Sequence, residues 1–147
     1  SAASDVYKRQ DENKYHAFLI LDVDCFKQIN DIYGHAVGDI VLQKFGKLLK
    51  GTFREGDILG RIGGDEFGVI MKNIQTKDIA MKKAEELLAK TQAYKIDELK
   101  GNNISISIGI STAPQDGDCY MDLYKRADQA LYQAKRSGKA RVCNYFS

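Results

Sequence analysis

Residues 57–71, "DILGRIGGDEFGVIM", set two short apolar runs on either side of a Gly-Gly pair, and the spacing predicts a β-hairpin with its turn at Gly63 and Gly64. Glycine takes positive φ without steric cost, so the pair suits a tight turn. Asp65 and Glu66 then fall at the hairpin tip. Taken alone they read as solvated turn acids, and they become a site only if other functional groups meet them there.

Working outward, residues 15–24, "YHAFLILDVD", read as a buried strand ending in Asp22 and Asp24. "CFKQINDIYG" predicts a short helix stopped by Gly34, and Asp39 is an expected N-cap for a second helix, "IVLQKFGKLLKGTF". That helix carries Val41, Leu42, Phe45, Leu48 and Leu49 at core-facing spacing, although Gly46 interrupts it. Beyond the hairpin, "TKDIAMKKAEELLAKTQ" predicts a helix with Thr76 as cap and Ala80, Ala84, Leu87 and Leu88 facing inward. "NISISIGIST" alternates Ile104, Ile106, Ile108 and Ile110 with small polar residues and reads as a strand. "YMDLYKRADQALYQAKRSG" predicts a helix on Leu123, Ala127, Ala130, Leu131 and Ala134, stopped by Gly138, and "ARVCNYF" offers a last strand. The order β-α-α-β-β-α-β-α-β implies an α/β (α+β) domain with a central sheet of about five strands flanked by helices.

The 147 residues suit one domain, and 44% hydrophobic with 29% charged residues is an ordinary globular composition. Residues 1–14, opening "SAASDVYKRQ", share no pattern with the rest and read as a tail, leaving 15–147 as the domain. A net charge of +2 gives no global case for nucleic acid or an anionic membrane as partner. Cys25, Cys119 and Cys143 are widely spaced and odd in number, which argues against a disulfide framework or a zinc site and for a reducing, cytoplasmic setting. The longest apolar run, "AFLIL", is five residues, far below the ~18 that span a bilayer.

Asp22 and Asp24 stand at the carboxyl end of what should be a central strand, the usual place for sites on helix-covered sheets. They share a face if the strand continues that far. A neighbouring hairpin brings Asp65 and Glu66 to the same edge. Converging carboxylates repel one another unless a cation neutralises them, and oxygen ligands select a hard ion. Mg²⁺ fits best, being held by one or two carboxylates together with substrate phosphates. On spacing alone, a metal site and a set of solvated acids both remain open.

"LDVDCFKQINDIYGHAVGD" followed by "RIGGDEF" resembles the GGDEF family of diguanylate cyclases, over about Ala17 to Ala140. The resemblance implies a palm-like, ferredoxin-like, nucleotide cyclase-like fold with a mostly antiparallel sheet. It also implies condensation of two GTP into cyclic di-GMP and two pyrophosphates by a homodimer, with Mg²⁺ (or Mn²⁺) as cofactor. Carried over, Asp22, Asp65 and the carbonyl of Val23 match metal ligands. Glu66 matches the residue at the reacting 3′-hydroxyl, with its division of labour against Asp65 left open. Asn30 and Asp39 match the guanine-reading positions. A carboxylate can accept from guanine N1–H and N2–H₂, a donor pair that adenine lacks. The amides of Cys25, Phe26 and Lys27, at a helix start, and the side chains of Lys135 and Lys139 match the triphosphate contacts. His35, Gly63 and Gly64 complete the expected substrate-binding set, and His35 is equally explained by its glycine loop.

"REGD", Arg54 to Asp57, resembles the family's RxxD product site, where cyclic di-GMP inhibits. Members usually open with a helix and a segment like "DxLTGLxNR", where this chain has "SAASDVYKRQDENKYH". The resemblance therefore implies a domain without that segment, weak Mg²⁺-GTP binding and little turnover until it and an upstream dimerising region are restored, with membrane anchoring of the parent protein left open. Two other readings stay open: a module that binds GTP or cyclic di-GMP for regulation without turnover, and a related cyclase or polymerase palm that would not need Asn30 and Asp39.

Overall fold

The computed structural model describes residues 14–146, so the expected tail, and with it the expected departure from the family's opening segment, lies almost wholly outside the described residues. The elements follow the expected order: β1 (Tyr15–Val23), α1 (Phe26–Tyr33), α2 (His35–Thr52), β2 (Ile58–Gly63), β3 (Glu66–Ile74), α3 (Asp78–Ala93), a 3₁₀ turn (Asp97–Leu99), β4 (Ile106–Ala113), α4 (Tyr120–Arg136) and β5 (Val142–Asn144). The five strands form one sheet in the order β2-β3-β1-β4-β5, antiparallel throughout except for the parallel β4–β5 pair. The "AFLIL" strand is thus central, and it needs helices on both faces because side chains of both parities are apolar.

Leu19, Leu21 and Val23 of β1 pack with Ile106, Ile108 and Ile110 of β4 under α2 and α3. Phe18 and Ile20 point the other way and meet Leu123, Ala127 and Leu131 of α4. That second layer buries Ser107 and Ser111 as well, and Thr112 is buried on the other face, so β4 has no solvent face despite its Ile/polar alternation. Gly109 permits the close approach, since a Cβ there would collide with the backbone at Ala127 and Leu131.

Two expected caps are corrected. Gly34, at φ 91°, ends α1 and at once precedes α2, which opens at His35. Asp39 therefore lies inside α2, in its second turn, where its side chain cannot cap the helix. Likewise α3 begins after Lys77, and Thr76 provides only a backbone carbonyl to Ile79. Gly46 does not break α2, because Val41, Leu42, Phe45 and Leu49 bury the face that holds the helix in place.

Candidate active site

The hairpin turn is two residues long, Gly64 and Asp65, with Gly63 paired to Glu66 and Gly64 at φ 50°. The positive φ explains the glycine, and Arg61 Nε donates to the Gly64 carbonyl at 2.7 Å, closing the turn. Glu66 is the first residue of β3 and stands directly across from Asp22 of β1. The two side chains thus leave the sheet on the same face, the one that α4 covers. Asp65, in the turn, is close enough to Asp22 for the two carboxyls to influence one another.

Asp22 is buried, and its Oδ1 has no hydrogen-bond partner among the described residues, while Oδ2 accepts from Lys135 Nζ of α4. Burial and the neighbouring Asp65 push the Asp22 carboxyl up to about 7, with Lys135 acting in the opposite direction. A buried carboxylate oxygen without a donor, next to a second carboxylate, is the environment that a hard cation would relieve. Asp22 and Asp65 therefore fit Mg²⁺ or Mn²⁺, with the Val23 carbonyl alongside at the end of β1; the Val23 side chain itself is in the core.

Glu66 is held from the other side: Tyr124 Oη donates to its Oε1 at 2.9 Å. That bond, with some burial, pushes the Tyr124 phenol up to about 12, so it stays protonated and a donor. Nothing in the sequence marks Tyr124, one of eight tyrosines and 58 positions from its partner.

Asp24 does not join the cluster. β1 stops at Val23, and beyond it the Asp24 side chain accepts from Ser105 Oγ and Ser107 Oγ, both at 2.6 Å, and from the Ala140 amide at 3.1 Å. A carboxylate with three donors has its charge satisfied without a metal. Its work is to tie β4 and the loop after α4 to the end of β1. Lys139, on that loop, lies with Nζ 3.1 Å from Cys25 Sγ, so two expected phosphate contacts are brought together. Cys25 sits in the left-handed region (φ 56°) immediately before α1 and is exposed, as is Lys27. The amides of Phe26 and Lys27, in the first turn of α1, have no intrahelical acceptor.

Asn30 of α1 packs against α2 at Gly38, where a Cβ would collide with its Oδ1. Asp39 follows Gly38 and is exposed, so the two expected guanine-reading residues both lie where α1 packs on α2. His35 opens α2 and is exposed.

Arg54 and Asp57 lie at the opposite end of the hairpin from its tip. Arg54 Nη2 and Nε donate to Asp57 Oδ1 at 2.7 and 3.0 Å, the Arg54 amide donates to Oδ2 at 2.9 Å, and Nη2 also reaches the Lys72 carbonyl. The Asp57 side chain is fully enclosed, while that of Arg54 is half exposed. The pair is thus knit together across the loop that leads into β2.

Residues 2–141 match the sequence model of the family described as diguanylate cyclase, GGDEF domain. Diguanylate cyclase A of Treponema denticola is 40% identical over 127 residues, covering 86% of this chain and 34% of that protein. The response regulator PleD of Caulobacter vibrioides is likewise 40% identical over 127 residues, covering 84% of this chain and 28% of the relative. The chain thus spans about a third of the length of these curated relatives. Among solved structures, the GGDEF domain of TpbB (YfiN) from Pseudomonas aeruginosa superposes with a TM-score of 0.93 at 32% identity, covering 99% of this chain and 91% of that one. The GGDEF domain of DgcB from Caulobacter crescentus, solved in complex with c-di-GMP, gives 0.87 at 25% identity, with 97% and 85% covered.

Proposed function

From the premise that this chain belongs to the GGDEF family of diguanylate cyclase domains, we propose that it condenses two GTP into cyclic di-GMP and two pyrophosphates. The observation that carries this reading is the buried Asp22 carboxylate near Asp65, its Oδ1 without a partner among the described residues, at the end of the central strand. Asp22, Asp65 and the Val23 carbonyl would hold the divalent ion. When bound, Mg²⁺ or Mn²⁺ would polarise the α-phosphate and offset charge on the leaving pyrophosphate. Lys135, already at the Asp22 carboxylate, and Lys139, at the Cys25 turn, supply positive charge for the triphosphate, with the free amides at the start of α1. Asn30 and Asp39 read the guanine edge, and His35, Gly63 and Gly64 line the same substrate site.

Glu66 faces the 3′-hydroxyl, accepting its proton or its developing charge as the oxygen attacks the α-phosphorus of the other GTP. Pyrophosphate leaves, and the same attack in the opposite direction closes the ring. Each domain holds one GTP, so the reaction needs two copies with their sites facing one another. Cyclic di-GMP at Arg54 and Asp57 would inhibit.

Incubation with GTP or with ATP, in the presence of Mg²⁺, tests the reading. Cyclic di-GMP and pyrophosphate from GTP alone are expected, with specific activity rising with protein concentration as dimers form. A cyclic product from ATP would point to another nucleotide cyclase. Binding of a GTP analogue without any turnover, even when the chain is held as a dimer by an added upstream segment, would point to a regulatory module.

A further inference from the structure

The Tyr124–Glu66 contact lies outside the site residues that the sequence identified, and it has the features of a built support. The Tyr124 ring is held between Phe18, at 6.0 Å between centroids, and Tyr120, at 6.1 Å, and Phe18 and Tyr120 themselves pack edge to face at 5.3 Å. Phe18 is buried on β1, two positions of the same parity before Asp22. The hydroxyl is therefore carried on an arm fixed to the central strand that bears the metal-site carboxylate. An aromatic arm with two side-chain torsions also loses little freedom on being fixed.

Glu66 needs such a support. It has three torsions, it is only half-buried, and it stands opposite Asp22 and next in sequence to Asp65. Repulsion from those carboxylates would otherwise favour rotamers that swing its carboxyl out to solvent. With Oε1 engaged by a neutral donor, the side chain is held on the α4 face of the sheet and Oε2 is left for a substrate hydroxyl. Resting on the cyclase reading above, we infer that Tyr124 is a positioning residue: its hydroxyl holds the Glu66 carboxylate in the orientation that receives the 3′-hydroxyl of GTP.

Tyr124→Phe removes one oxygen and keeps the aromatic packing, so the fold should survive. The test is a double-mutant cycle on wild type, Y124F, E66Q and Y124F/E66Q, with kcat and KM for GTP measured from cyclic di-GMP formation and the thermal midpoint recorded for each. Loss of a hydrogen bond to a charged group predicts a fall in kcat of about tenfold for Y124F, with KM changed by less than about twofold. The same substitution should cost nothing further in the E66Q background. An unchanged or raised kcat in Y124F overturns the inference, as does an equal loss with and without Glu66, which would mark a merely structural tyrosine. Wild type that makes no product from GTP even when held as a dimer by an added upstream dimerising segment, while folded and able to bind a GTP analogue, overturns the cyclase reading itself and this role with it. The two failures are thereby told apart.

Discussion

The face of the sheet under α2 and α3 and the face under α4 are both apolar, yet they serve different ends. Under α2 and α3 the packing is continuous from Ala17 through Phe45 and Met71 to Ile110, with partners exchanged between several elements. Under α4 the apolar layer is small, resting on Phe18, Ile20, Leu123, Ala127 and Leu131, and past its end the same face carries Asp22 and Glu66. The helix that closes this face among the described residues, α4, also reaches both acids, through Lys135 and Tyr124. A change in the first layer should therefore cost stability alone. A change that lifts α4 should cost stability and chemistry together.

The largest effect expected is at the acids: Asp65→Ala should lower cyclic di-GMP formation by about a thousandfold or more, by removing an ion ligand. Its circular dichroism and thermal midpoint should stay near wild type, because Asp65 lies in the turn. Unchanged activity would remove it from the site.

The contrast between the faces is tested by a pair of core variants. Phe45→Ala, in the larger layer, should cost about 3–5 kcal/mol in denaturant unfolding while the folded fraction keeps its kcat. Gly109→Ala should cost about 1–3 kcal/mol as α4 is displaced by the new Cβ. Despite the smaller stability loss, it should lower kcat, because Tyr124 and Lys135 move with the helix. If both variants left kcat intact, the distinction between the faces would fail.

The pH dependence sharpens the same comparison. With Asp22 raised to about 7, Mg²⁺ must displace a proton below that value, so its affinity should fall as pH drops from 8 to 6. Calorimetric titration with Mg²⁺ at several pH values measures this, and a flat profile would count against Asp22 as a ligand. His16, at the other end of β1, works differently. Its Nδ1 accepts from the Asn73 amide at 3.0 Å, and burial, with Lys72 nearby, holds its pKa below 6.5. The unfolded chain therefore takes up the proton first, and the contribution of His16 to stability is present above 6.5 and lost as pH falls through the window beneath it. Replacing His16 with Gln should flatten that part of the stability profile.

The smallest effect expected is at the distant loop. Arg54→Ala should cost about 1–2 kcal/mol by withdrawing donors from the enclosed Asp57, and should relieve product inhibition without lowering the initial rate. A progress curve that plateaus as in wild type would argue against this loop as the inhibitory site.

Much of the molecule was legible in sequence for plain reasons. Period-two runs such as "NISISIGIST" and helical repeats such as Leu123, Ala127 and Leu131 announce elements because burial selects side chains by face. The hairpin tip was legible because glycine marks a turn, and the acids follow it immediately. What misled was local: Asp39 looks like a cap because Asx residues favour caps, but Gly34, five positions earlier, already ends the first helix and the second opens at His35. Asp24 looks like the partner of Asp22 because alternate strand residues share a face, but that rule lapses where β1 ends.

By itself the sequence determined the order of the elements, the centrality of the "AFLIL" strand and the acids at the glycine turn, all of which follow from nearest-neighbour geometry and burial. Only the tertiary structure decided that Asp22 faces Asp65 and Lys135 while Asp24 turns to Ser105, Ser107 and Ala140, and that Tyr124 holds Glu66. Those partners lie between 43 and 116 positions apart in the chain, and side-chain hydrogen bonds over such separations depend on sheet register and helix docking. A one-residue slip in register would send Asp22 to the opposite face, and no local pattern of residue types reports that choice.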